Sequence, residues 1–114
     1  MKDVLIPERL SSARKALSIT KMEAAKRMDI GQGTYVRYEN GDRNPSYPII
    51  VRMAQVLKVS PEYLVGKTDN SDPDSFVVVK GDNPEMYNLV KISENLSSDT
   101  VKRLLDFAEA LSKE

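Results

Sequence analysis

The chain has 114 residues, 40% apolar and 30% charged, with a formal net charge of zero and with neither cysteine nor histidine. These values fit one globular domain with an appendage, and they exclude disulfides, thiol or imidazole catalysis and the usual zinc sites, so we expect a binding protein without a cofactor rather than an enzyme. No apolar run reaches the roughly 18 residues of a membrane span and no signal peptide is evident, which predicts a cytoplasmic protein.

Charge is divided unevenly along the chain. Residues 1–66 hold 11 Lys and Arg against 7 Asp and Glu, a net charge of +4, whereas residues 67–114 hold 6 against 10, a net charge of −4. A basic N-terminal half is compatible with a polyanionic partner. We therefore expect the two halves to have different functions.

Two helices are predicted at the start of the chain. Pro7 is tolerated in a first helical turn, and apolar residues follow it at helical spacing, which predicts a helix over residues 7–17. Thr20 and Glu23 have the spacing of a capping box, so a second, short helix begins there. It is expected to end near Asp29, a residue type that tolerates the left-handed backbone.

Three more helices complete the predicted bundle. A third short helix covers residues 32–40, with Gly41 as the left-handed residue after its end. Ser46 is expected to cap a fourth helix through residue 57. Ser60 is expected to cap a last short helix, which has Pro61 in its first turn, runs through Val65 and ends at Gly66. Five helices in so short a segment predict a compact all-α bundle.

The composition changes after the predicted bundle. Residues 67–75 combine Asp, Asn, Ser and Pro without an apolar side chain, which is typical of an exposed linker. Residues 76–79 read Phe-Val-Val-Val, a β-branched run that is compatible with a short edge strand or an extended segment. The chain then turns. The sequence thus predicts an acidic linker over residues 67–82.

The C-terminal segment, residues 83–114, carries two apolar stripes at helical spacing. Asn83 is expected to cap the first helix and Ser97 or Ser98 the second, which predicts a helical hairpin. So small a hairpin cannot bury its own apolar face, so we expect two copies to pair. Packing of the hairpin on the bundle of its own chain is the alternative. The predicted dimerisation residues are Met86, Leu89, Val90, Leu104, Leu105, Ala108 and Leu111.

The segment from Ile30 to Ser46 carries the most specific motif. It reads Ile-Gly-Gln-Gly-Thr-Tyr-Val-Arg-Tyr-Glu-Asn-Gly-Asp-Arg-Asn-Pro-Ser and closely resembles the Xre/Cro/C1-type helix-turn-helix family. The resemblance covers about residues 6–66 and includes Arg9-Leu10, Ala25 and the stretch Val59-Ser60-Pro61-Glu62-Tyr63-Leu64. It implies a lambda-repressor-like, five-helix DNA-binding domain over residues 1–66, whose third helix enters the major groove of double-stranded DNA.

The resemblance also implies which residues contact DNA. In the recognition helix, residues 32–40, Gln32 suits adenine and Arg37 suits guanine. Lys21 is expected beside a phosphate at the start of the second helix. The family's ion pair between helix one and the glutamate before Asn-Gly would join Arg14 to Glu39. The predicted DNA-binding residues are Lys21, Gln32, Gly33, Thr34, Val36, Arg37, Arg43 and Asn44.

Three positions depart from the family pattern. Asp29 stands where the turn usually has Gly, Gly31 replaces the usual Ser or Thr cap, and Gly33 replaces a side chain that often reads DNA. We therefore expect a recognition helix that is loose at its start until DNA orders it. Tyr35 and Tyr38 are expected in the core with their hydroxyls reaching the surface.

The function implied by the resemblance is a bacterial or phage transcriptional repressor that binds a palindromic operator as a homodimer. An antitoxin that regulates its own operon is a close alternative. A protein-interaction adaptor, whose helical tail binds a regulatory partner protein while the bundle serves as scaffold, is the alternative from another class. An enzyme is the least supported reading, because the paired acidic residues lie in the predicted linker.

Overall fold

The structure, a computed structural model, describes residues 3–114. This part of the chain is all-α with seven helices, as the sequence predicts, and it contains no strand. It divides into two compact units, one ending at Val77 and one beginning at Val78. The helices are α1 (Pro7–Ala16), α2 (Lys21–Met28), α3 (Gln32–Asn40), α4 (Tyr47–Leu57), α5 (Pro61–Leu64), α6 (Pro84–Ser93) and α7 (Ser98–Ser112).

The short helices of the first unit begin and end at local signals. Thr20 Oγ1 accepts a hydrogen bond from Glu23 N at 3.0 Å, which satisfies a free donor at the start of α2. Asp29 and Gly41, with φ of 57° and 79°, end α2 and α3 in the left-handed region. Ser60 caps α5 through its hydroxyl, whereas Ser46 occupies the cap position of α4 without a side-chain hydrogen bond.

One apolar core lies between the first five helices. α2 packs on α3 and α4, and α1 packs on α3 and α5, so each helix turns one face inward. Each fully buried large apolar side chain stabilises the fold by about 1.5–3 kcal/mol. The core consists of Leu5, Leu10, Ala13, Ala24, Ala25, Met28, Tyr35, Tyr38, Ile50, Met53, Ala54, Leu57 and Leu64.

The segment after α5 differs from the predicted linker. Residues 67–77, which we call the strap, belong to the first compact unit and are hydrogen-bonded to α1, to α5 and to the residue that ends α4. We call α1–α5 the bundle, and the bundle with the strap the head. Residues 76–79 form no strand, because no other extended segment within residues 3–114 pairs with them.

The second unit, residues 78–114, contains α6 and α7 and buries no residue of either helix. Asn83 caps α6 and Ser97, rather than Ser98, caps α7. α6 ends at Ser93, so Leu96 lies in the turn between the helices. Large apolar side chains on both helices are exposed: Met86, Leu89, Val90, Ile92, Val101, Leu105, Phe107 and Leu111.

Candidate DNA-binding surface

α2 and α3 are joined by a three-residue turn that is fixed from two sides. The left-handed Asp29 lets Ile30 N donate to Ala25 O at 3.0 Å, which satisfies a carbonyl at the end of α2. From α4, Arg52 Nη1 donates to Met28 O at 3.1 Å. The angle between α2 and α3 is therefore held by both local and distant contacts.

The inner face of α3 is anchored by two tyrosines. Tyr35 is 0% exposed and Tyr38 3% exposed, which confirms their prediction as core residues. The prediction that the hydroxyls reach the surface is wrong for Tyr35, whose oxygen is buried without a hydrogen-bond partner among the described residues. The cause is its enclosure beside Arg14 and Glu39, and burial raises the pKa of Tyr35 accordingly.

A buried ion pair joins α3 to α1. Arg14 Nε donates to Glu39 Oε2 at 2.7 Å, and the two side chains are only 11% and 5% exposed, so the predicted pair is present. A second nitrogen of Arg14 donates to Ile19 O at 2.9 Å. Burial, the largest single influence, would by itself raise the pKa of Glu39, but hydrogen bonding and nearby positive charge, chiefly from Arg14, together outweigh it and the pKa is lowered. The pair fixes the C-terminal half of α3.

The opposite face of α3 is open to solvent. Gln32, Gly33 and Arg37 are exposed, and Thr34 and Val36 are half-buried. Arg37 makes no side-chain hydrogen bond or ion pair within residues 3–114, so its guanidinium is available to a ligand. The structure thus gathers the predicted base-reading residues on one solvent-facing surface, opposite the buried tyrosines.

Three further predicted residues flank that surface. Lys21 is the exposed first residue of α2, and its charge contributes to the lowered pKa of Glu39 on α3. Arg43 is exposed in the loop after α3. Asn44 has a structural role that the sequence did not reveal, since its Oδ1 accepts a hydrogen bond from Leu5 N at 3.0 Å.

Two positioning contacts were missed by sequence reasoning. These are Arg52 at the turn and Asn44 in the loop after α3. Each bonds a backbone group that lies far away along the chain, and neither belongs to a local capping pattern. No sequence signal short of the fold itself could have identified them.

Other site classes find little support in the described part of the chain. Residues 3–114 contain no group of three or more acidic side chains that could hold a metal ion. In the same range, no helix is both long and apolar enough to cross a membrane.

Two short helices with a fixed turn and an exposed second helix define a helix-turn-helix protein. Comparison with known families agrees, since residues 10–64 match the model of the helix-turn-helix family HTH_3. Residues 10–64, just under half of this chain, therefore form a domain of this family, the Xre/Cro/C1-type helix-turn-helix domains. Its members form a class of transcriptional regulators and not a class of enzymes.

Curated relatives extend the comparison. YqaE of Bacillus subtilis, an uncharacterized HTH-type transcriptional regulator, is 27% identical over 88 residues, which cover 67% of this chain and 76% of that protein. ImmR of Bacillus subtilis, an HTH-type transcriptional regulator, is 33% identical over 56% of this chain and 50% of its own. The cryptic phage CTXphi transcriptional repressor RstR of Vibrio cholerae is 34% identical over 54% of this chain and 55% of its own. The chain thus matches about half the length of ImmR and RstR.

A solved structure resembles the chain over nearly its whole length. The SinR protein/SinI protein complex contains a chain with a TM-score of 0.53 and 20% identity, and the match covers 96% of this chain and 100% of that one. At this identity the likeness is evidence for the fold alone.

Proposed function

We propose that this chain is a transcriptional repressor that binds a palindromic DNA operator as a homodimer. The observation that carries the proposal is the division of α3 into two faces. Tyr35 and Tyr38 are buried, whereas Gln32 and Arg37 are exposed. One face of α3 is packed into the core, and the opposite face is open to solvent. A helix presented in this way suits insertion into a major groove.

The exposed side chains have the chemistry that base recognition needs. A Gln can pair with adenine through two hydrogen bonds and an Arg with guanine, and each good pair discriminates by about 1–3 kcal/mol. Lys21 and Arg43 are proposed to contact phosphates on either side of the groove, together with Asn44, whose amide nitrogen makes no hydrogen bond within residues 3–114. Thr34 is proposed to lie nearer the sugar-phosphate backbone, and Val36 to touch a thymine methyl group.

Selection of bound sequences from random duplex DNA tests this assignment. The full chain is expected to select two inverted half-sites. Arg37→Ala should weaken binding by roughly tenfold or more and relax preference at one position in each half-site. Arg103→Ala, which removes an exposed arginine from α7, is the matched control and should leave the preference unchanged. An unaltered preference in Arg37→Ala would remove Arg37 from the reading surface.

The second unit supports the dimer. α7 carries exposed Val101, Leu105 and Leu111, and α6 carries exposed Met86 and Leu89. So much exposed apolar surface on two helices that bury nothing favours pairing with another surface. Phe107, 63% exposed, extends this face and was not in the predicted set.

Sedimentation of the full chain tests the pairing. We expect a dimer at micromolar concentration that Leu105→Glu converts to a monomer, while Lys102→Glu, an exposed substitution one turn away, does not. The same apolar face fits the alternative, a tail that binds a regulatory partner protein. A wild-type chain that stays monomeric at high concentration would favour this alternative over the homodimer.

A further inference from the structure

The strap is fastened to the bundle at its start by Arg9. Arg9 Nη1 donates to Tyr63 O at 2.8 Å and to Thr68 O at 2.6 Å, and its Nη2 lies 2.7 Å from Asp69 Oδ1. The guanidinium also lies over the Tyr63 ring, 4.4 Å from the centroid. One arginine of α1 therefore joins α5 to the strap, and its fixed, planar set of donors is well suited to several acceptors.

The middle of the strap satisfies a buried donor of the bundle. Ser60, 8% exposed, donates its backbone N–H to Ser71 O at 2.9 Å. The strap also turns on itself, since Asn70 N donates to Thr68 Oγ1 at 3.1 Å and Asp72 N to Asn70 Oδ1 at 3.0 Å. A buried N–H without a partner is costly, so this contact favours a docked strap.

The end of the strap is held by Lys58, the residue that ends α4. Lys58 Nζ donates to Val77 O at 3.0 Å and lies 5.0 Å from the centroid of the Phe76 ring. On the other side of the boundary, Val79 O accepts hydrogen bonds from Asp82 N and Asn83 N in the turn that starts α6. Val78 alone lies between these two sets of anchors.

The consequence is a short connection between the two units. A flexible chain over residues 67–83 would have an end-to-end distance of about 23 Å and would let the units move independently. With the strap docked, free movement of the chain is confined to about one residue, Val78. Consecutive Cα atoms are only about 3.8 Å apart, so this connection is short. The end of the strap is then fixed by contacts within the first unit itself.

We propose that Arg9 and Lys58 are positioning residues that set the spacing between the two DNA half-sites. Neither contacts DNA in this proposal: both act by docking the strap. The proposal rests on the proposed function, binding of the dimer to two half-sites. One added base pair rotates a half-site by about 35° and moves it by about 3.4 Å. A dimer whose straps are docked should reject the altered spacing, whereas a dimer with flexible linkers should tolerate it.

Binding of the full chain to duplexes of varied spacing tests the proposal. The selected half-sites are separated by spacers that grow one base pair at a time over one helical turn. The wild type should prefer one spacing over its neighbours by tenfold or more. Combining Arg9→Lys with Lys58→Asn should reduce this preference to threefold or less, because neither new side chain reaches all the former acceptors.

Two controls separate positioning from general damage. Affinity of the double variant for a duplex with one half-site should stay within twofold of the wild type, which a misfolded head could not achieve. Lys15→Ala, which removes an exposed charge of α1 that bonds nothing in the strap, should keep the tenfold preference. A double variant that retains the wild-type preference would overturn the proposal.

Trypsin digestion tests the docking without DNA. Lys67 lies in the strap and Lys80 beyond it, and cleavage after Lys67 requires local release of the strap. In the wild type, cleavage after Lys67 should be slower than after Lys80, and the double variant should accelerate it by tenfold or more while Lys80 is unchanged. Equal rates at both sites in the wild type would show an undocked strap and overturn the proposal.

The outcomes distinguish this proposal from the proposed function. A wild-type dimer that binds two half-sites at any spacing contradicts the role of the strap and leaves the repressor assignment standing. A chain that binds no duplex, or binds without dimerising, contradicts the proposed function and this inference together. The proposed function and this inference are both supported if Lys67 is protected from trypsin, if the wild type prefers one half-site spacing, and if the double variant loses both properties.

Discussion

The head and the second unit use similar helices but differ in how they are stabilised. The bundle surrounds a core of fully buried side chains such as Leu10, Met28 and Ile50, whereas α6 and α7 bury none. Most of the stability of a helix in a protein comes from packing of its apolar face rather than from intrinsic propensity. The head is therefore expected to fold by itself, and the second unit to depend on another surface.

Matched truncations of leucines give the largest expected contrast. Leu10→Ala should lower the free energy of unfolding of the head by about 2–5 kcal/mol, because it removes a fully buried side chain of α1. Leu105→Ala should leave that transition unchanged and instead weaken dimerisation. Denaturant unfolding at several protein concentrations measures both effects. A concentration-independent loss of stability in Leu105→Ala would show that the second unit is stabilised within one chain.

The buried ion pair gives the next largest effect. Glu39→Gln should destabilise the head by roughly 3 kcal/mol, because it leaves Arg14 buried without its charge partner. The effect should depend on pH. Since the pKa of Glu39 is lowered in the folded state, its contribution is complete above the pKa of an unfolded Glu, about 4.3, and is lost as the pH falls through the folded value.

Unfolding of both proteins between pH 7 and pH 3 measures this dependence. The difference in stability between the wild type and Glu39→Gln should shrink as the pH falls below about 4. Glu85→Gln, on exposed α6 in the second unit, serves as the control and should change neither the stability of the head nor its pH dependence. A constant difference down to pH 3 would contradict a charged Glu39 as the source of the stability.

These contrasts also show what the sequence could and could not predict. Short-range signals were sufficient for α2 and α3, because the Thr20 cap and the left-handed Asp29 and Gly41 act within a few residues. The pairing of Arg14 with Glu39 followed from the family resemblance. The exposed face of α3 has the predicted residues, and their contacts with DNA stay a prediction.

The strap was beyond the reach of the sequence for a physical reason. Its composition is that of a linker, and what docks it are hydrogen bonds to its backbone carbonyls from Arg9 and Lys58. Carbonyl acceptors are present at every residue, and Asp69, the strap side chain that pairs with Arg9, is an exposed acid of the kind expected in any linker, so no residue type in the strap signals the contact. Only the fold brings the two donors within reach.

Equivalent caps in the two units give a smaller, sharper contrast. Thr20 caps α2 and Ser97 caps α7 by the same type of hydrogen bond, at 3.0 and 3.2 Å. Thr20→Ala should lower the free energy of unfolding of the head by about 1 kcal/mol. Ser97→Ala should leave the head unchanged and reduce the helix content of the second unit, as circular dichroism can measure. Equal destabilisation of the head by both variants would mean that the units unfold together.

The smallest effect separates stability from function within the head itself. Gly33 lies inside α3, and an added Cβ would meet nothing within 4 Å, so Gly33→Ala should stabilise the head by about 0.5–1 kcal/mol. If the start of α3 lies against DNA, the same methyl group should alter affinity or base preference, since it adds bulk to the reading surface. Thermal unfolding and DNA binding of Gly33→Ala measure the two effects. Gly81→Ala is the control, because a Cβ at Gly81 would also meet nothing within 4 Å but lies in the second unit. A stabilised head with unchanged DNA binding would place the contact surface away from the first turn of α3 and towards Arg37.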